Sequence, residues 1–109
     1  MPHSNIRTTQ YPARRADYER VTSEVAAYAN ALATDAGKKS EPGERLLRVR
    51  ELRTKGLEAL TAAVLLERAE GASWSNIARA LGMDESFVRA RWEDFERDKN
   101  MELPRIVTG

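Results

Sequence analysis

Cysteine is missing from all 109 residues, which removes disulfides, thiolate metal ligands and a cysteine nucleophile together. Histidine is nearly missing too. His3 is the single example, so neither a Ser-His-Asp arrangement nor a histidine metal cluster can be assembled. Aromatic residues make up only 6%, and any core must come mainly from Leu, Val, Ile and Ala. Long apolar runs are also lacking: Ala59 to Leu66 offers eight uncharged residues, whereas a membrane-spanning helix needs roughly 20. The opening MPHSNIRTTQ has no secretory apolar segment. Nucleotide-holding loops of the GxxxxGKS/T or GxGxxG type do not occur. Carboxylates are plentiful but sit among basic residues, as on solvated helix faces. The expectation is a cytoplasmic protein with no membrane contact, no enzymatic activity, no metal and no cofactor.

What the chain does contain suits a compact domain: 41% hydrophobic and 32% charged residues, with a net charge of +1. Arginine outnumbers lysine 14 to 4 and alanine occurs 16 times. That bias is associated with high-GC bacterial genomes.

Apolar spacing sets the organisation. Residues 1–12 hold two prolines and no periodic pattern, which predicts a flexible arm. From about Ala13 to Ala36, the spacing of Tyr18, Val21, Val25, Tyr28 and Leu32 by threes and fours predicts one helical stripe. It suits packing against another helix, within the chain or from a second subunit. The stretch DAGKKSEPG (Asp35–Gly43) reads as a solvated loop. Helical pattern resumes near Glu44 and runs to Glu70, stopping at Gly71. Gly56 lies inside it and is compatible with a kink, a tight contact or a break. Ser73 is placed to cap a short helix ending at Gly82. Asp84 is placed to cap a longer one, to about Asn100, with Val88, Trp92 and Phe95 on its inner face. No strand-like alternation occurs. The fold class is all-α, with a three-helix unit at 57–100, one or two helices at 13–56 that brace it or mediate dimerisation, and a tail at 101–109.

The informative stretch is Trp74 to Trp92, WSNIARALGMDESFVRARW. A short helix ends at a glycine, which takes positive φ without a Cβ clash, and a second helix starts three residues later. Ala78 is small enough for the pair to cross closely, and Ile77, Leu81, Met83 and Val88 are expected to fill the wedge. Such a pair cannot bury its own apolar face, and Leu57 to Leu66 is available to cover it.

The phrase EGASWSNIARALGM resembles that of small bacterial helix-turn-helix proteins and the region-4-like module of sigma factors. In these, G-A-S/T-W-x-x-I-A-x-A-L-G precedes the recognition helix and an aromatic closes it, as Trp92 does here. The resemblance covers roughly Leu57 to Asn100. It implies double-stranded DNA as the partner, with the helix from Asp84 in the major groove. Glu85, Ser86, Arg89 and Ala90 would then face the bases. Arg89 is the main candidate, because a guanidinium can pair with both acceptors of guanine. Ser75, Asn76 and Arg79 are the backbone candidates on and near the shorter helix. One unit reads about half an operator, so the resemblance also implies a homodimer.

Two departures stand out. Phe87 occupies a position where relatives commonly carry a small residue. Charge is the second: residues 57–109 carry seven basic side chains against ten acidic ones, which is awkward for a phosphate-binding head. Glu93, Asp94, Glu96 and Asp98 would point away from the groove. The upstream half carries eleven basic against seven acidic. Arg45, Arg48 and Lys55 share a helix side that suits phosphate tracking, and Arg7, Arg14 and Arg15 suit a minor-groove arm. The competing reading is a protein-interaction adaptor that presents Phe87 and the acidic last helix to a polymerase subunit, a toxin or a regulator.

Overall fold

A computed structural model of the chain describes residues 6–97, with side chains from Gln10 onward. Four helices form in order: α1 (Ile6–Asp35), α2 (Glu44–Ala69), α3 (Trp74–Leu81) and α4 (Glu85–Glu96). No strand occurs among the described residues, so the fold is all-α as the spacing indicated. No helix among the described residues is long and apolar enough to cross a membrane.

The molecule measures 63 × 27 × 25 Å. Its long axis follows from α1 and α2, which pack side by side and antiparallel. Pairs along their seam run in opposite chain directions: Val21 packs with Ala62 and Leu65, Lys55 meets Glu24 at 2.8 Å, and Arg48 meets Asp35 at 2.7 Å. The stripe of Tyr18, Val21 and Val25 is thus covered from within the chain. The lower end of this hairpin carries the core. There Val64 from α2 joins Trp74, Ile77 and Ala78 from α3 and Val88 and Trp92 from α4. Phe95 bridges this cluster to the Val21 cluster.

Farther up, the seam is ionic. Lys55 lies between Glu24 (2.8 Å) and Glu58 (3.6 Å) and 5.9 Å from the Tyr28 ring. Its hydrogen bond holds the Glu24 carboxyl below the usual carboxylate range. The same bond raises the Lys55 ammonium above its ordinary value.

Three expectations need correction. Residues 6–12 are not an arm, because α1 is helical from Ile6 and passes through Pro12. The flanking side chains explain it: Gln10 Nε2 donates to the Glu96 carbonyl (2.8 Å) and Arg14 Nη2 to the Phe95 carbonyl (2.9 Å), fastening this end of α1 to α4. Residues 1–5, His3 included, lie outside the described residues, as do Asp98, the expected helix end at Asn100 and the tail at 101–109. Second, the boundary drawn at 56/57 falls inside α2, which continues through Gly56. A Cβ there would meet nothing within 4 Å, so the glycine serves no close approach. Third, Met83 does not fill the α3–α4 wedge but is 40% exposed.

Candidate nucleic-acid interface

The α3–α4 pair is built by local signals. Ser73 is extended (φ −81°, ψ 158°) and its hydroxyl accepts from the Asn76 amide at 3.0 Å, occupying an amide that the first turn leaves unpaired. Trp74, Ile77 and Ala78 point into the core. Gly82 then takes φ 67°, ψ 33°, a left-handed conformation costly for a residue with a Cβ. The Met83 amide reaches back to the Ala78 carbonyl at 3.0 Å, closing α3 in the manner of a Schellman turn. Asp84 holds the N-cap position of α4. Its carboxylate caps no helix amide, and accepts instead from the Ser86 hydroxyl.

α4 has two contrasting faces. Inward, Val88 and Trp92 have no solvent exposure. The Trp92 indole Nε1 donates to the Thr61 hydroxyl on α2 at 3.1 Å. At the helix end, Arg68 clasps the Glu96 carboxylate through two nitrogens, at 2.6 and 3.1 Å. The same guanidinium donates to the Ala72 carbonyl (2.9 Å) and lies 4.3 Å from the Trp74 ring centre. Thr61 and Arg68 therefore set the roll of α4 about its axis.

Outward, Glu85, Ser86, Arg89 and Ala90 are all exposed. The Arg89 side chain is 50% exposed and meets Glu85, one turn earlier, at 3.2 Å. That contact is a weak surface pair, open to competition from any other hydrogen-bond acceptor. Arg91 is exposed as well and lies 5.2 Å from the Trp92 ring centre. Phe87 is 55% exposed beside them.

The backbone candidates divide into two groups. Ser75, Asn76 and Arg79 lie exposed on α3, with the Arg79 guanidinium 3.4 Å from the Asn76 side-chain oxygen. Arg45 and Arg48 lie on α2 at the far tip of the hairpin, roughly 24–28 Å along the helix from Val64. Arg48 is tied to Asp35 and Glu44, Lys55 to Glu24 and Glu58, and Arg45 donates to the Lys38 carbonyl. The cations expected on one phosphate-tracking stripe are thus largely engaged within the hairpin. Arg14 is fully buried and belongs to the α1–α4 junction, not to an arm.

Glu96 also departs from expectation. It is buried against Arg68 instead of pointing outward with Glu93 and Asp94. The signal was present: Glu96 lies four residues after Trp92 and eight after Val88, on the inward stripe. Thr61 carried no comparable signal, since its role depends on an indole 31 residues away.

The chain matches no known protein-family model, and neither a curated protein nor a solved structure matches it.

Proposed function

We propose that this protein binds double-stranded DNA in a sequence-dependent way as a transcriptional regulator, with α4 entering the major groove. The observation that carries this reading is the asymmetry of α4. Its inward face is clamped by Thr61 and the Arg68–Glu96 pair, and its outward face offers Ser86, Arg89 and Ala90 to solvent. Preorganisation matters, because a guanidinium reads guanine bidentately only when its helix is held in register. Ser75, Asn76 and Arg79 on α3 are the phosphate-facing groups. Arg45 and Arg48 contribute only where DNA competes for their present partners. A homodimer would present two α4 helices to half-sites roughly 34–36 Å apart.

Charge favours a second reading. Glu85, Glu93 and Asp94 share α4 with exposed Phe87, a surface suited to an adaptor that docks on another protein. A salt titration on random duplex separates the two. The DNA reading expects measurable affinity that falls steeply with log salt, followed by enrichment of a defined sequence from a random pool. Flat, negligible binding overturns it in favour of the adaptor. Light scattering on the free chain tests the dimer.

A further inference from the structure

We propose that the outward face of the first half of α2 is a docking surface for an acidic amphipathic helix of a partner protein. This inference is independent of the role given to α4 and uses none of the residues assigned to DNA.

Helical spacing places Leu46, Val49, Arg53, Leu57, Leu60 and Val64 on one face of α2, at steps of three and four residues. At the lower end, Val64 and Leu60 belong to the core formed with α3 and α4. Nothing among the described residues covers the same face higher up: Leu46 is 76% exposed, Val49 51% and Leu57 36%. Leu47, on the shoulder of this face, is 50% exposed. The stripe from Leu46 to Val64 extends roughly 27 Å, five turns of helix. It runs down to a shallow groove of about 220 Å³ between α2 and α3, lined by Leu60, Val64, Ile77 and Leu81 with Glu67 at its rim.

The arginines identify the occupant. Of the six cations on α2, four are engaged: Arg45 with the Lys38 carbonyl, Arg48 with Asp35, Lys55 with Glu24 and Arg68 with Glu96. Arg50 and Arg53 make no ion pair or hydrogen bond among the described residues, and both lie on or beside the leucine stripe. For Arg48 and Lys55, α1 supplies Asp35 and Glu24, and for Arg68, α4 supplies Glu96. On this face the carboxylates must come from outside.

A partner helix with leucine-like residues every third or fourth position, acidic flanks opposite Arg50 and Arg53 and a cation near Glu67 satisfies every feature of the surface. A second copy does not. Two α2 faces laid parallel set these arginines against each other, laid antiparallel they offer the two arginines only Glu67 as a carboxylate on the stripe, and α4 exposes only one large apolar side chain besides its charges, Phe87. A phosphate backbone accounts for the arginines but gives the exposed leucines no role.

The test uses the full chain, isotope-labelled for NMR, and a synthetic amphipathic peptide of about 18 residues with leucines on one face and glutamates on its flanks. The control peptide has lysine at every glutamate. Saturable binding of the glutamate peptide is expected, with amide shifts confined to residues 46–64 and the facing side of α3. The Arg50→Glu/Arg53→Glu variant, whose melting temperature should be unchanged, is expected to lose about tenfold or more in affinity and to gain binding to the lysine peptide. Absence of binding at millimolar peptide, equal binding of both peptides, or shifts elsewhere overturns the proposal. Preferential capture of duplex DNA or anionic lipid vesicles through residues 46–57 overturns it as well, and reassigns the surface.

Discussion

The guanidinium of Arg14 donates to the main-chain carbonyl of Phe95, 81 residues later, at 2.9 Å. The last carbonyls of a helix lack intrahelical partners and carry its negative dipole end. A buried cation from α1, with Gln10 on the neighbouring carbonyl, closes α4 where the sequence supplies no glycine. Replacing Arg14 with Ala should therefore destabilise the fold by about 3 kcal/mol, read as a lower midpoint in urea. Arg15→Ala, which removes an exposed pair with Glu19 and an exposed hydrogen bond to the Tyr11 hydroxyl, should leave the midpoint in place.

Two glycines respond to the same substitution with opposite signs. Gly56 is helical and Gly82 has φ 67°, and a Cβ at either meets nothing within 4 Å. Only backbone preference then distinguishes them. Gly56→Ala should stabilise by about 0.5–1 kcal/mol, and Gly82→Ala should destabilise by about 1–2 kcal/mol. Thermal melts of the two variants check the pair. Destabilisation by Gly56→Ala would show that α2 does not run unbroken.

Stability should sag at both pH extremes through the Glu24–Lys55 pair. The Glu24 carboxyl is lowered when folded by its bond to Lys55. Its contribution is therefore full above the ordinary carboxylate value, about 4.3, and is lost as pH falls through the depressed one. The Lys55 ammonium is raised when folded by the same bond. Its contribution is full below the ordinary value, about 10.4, and is lost as pH rises through the elevated one. Glu24→Gln should flatten the acid limb of melting temperature against pH while lowering the neutral plateau.

Arg89→Ala should weaken binding to a selected duplex by about 1–3 kcal/mol and relax preference at one base position. Because the side chain is half exposed and only loosely paired with Glu85, the variant should melt like the parent. Equal affinity for the selected duplex in competition assays removes Arg89 from the reading surface.

Much of the α3–α4 pair was legible because its signals act within a few residues. Ser73 and Gly82 sit where the spacing placed them, and the Asp35–Gly43 stretch separates α1 from α2. The burial of Val88 and Trp92 followed from one helical stripe. The candidates Glu85, Ser86, Arg89 and Ala90 share a face for the same reason. Charges misled most. Arg14, Arg48 and Lys55 were expected to face DNA and Glu96 to point away from it, yet each has a partner supplied by the fold.

The sequence alone determined where local capping begins α3 and backbone sterics end it, because a hydroxyl three residues from an amide or a glycine at positive φ needs no distant help. Only the tertiary structure decided that α1 persists through Pro12, that α2 runs unbroken past Gly56, and which cations are engaged. Those outcomes depend on contacts between residues that the chain itself keeps far apart, such as Gln10 with Glu96 and Arg68 with Glu96. Such pairs exist only once α1 and α2 have packed and set α4 against them.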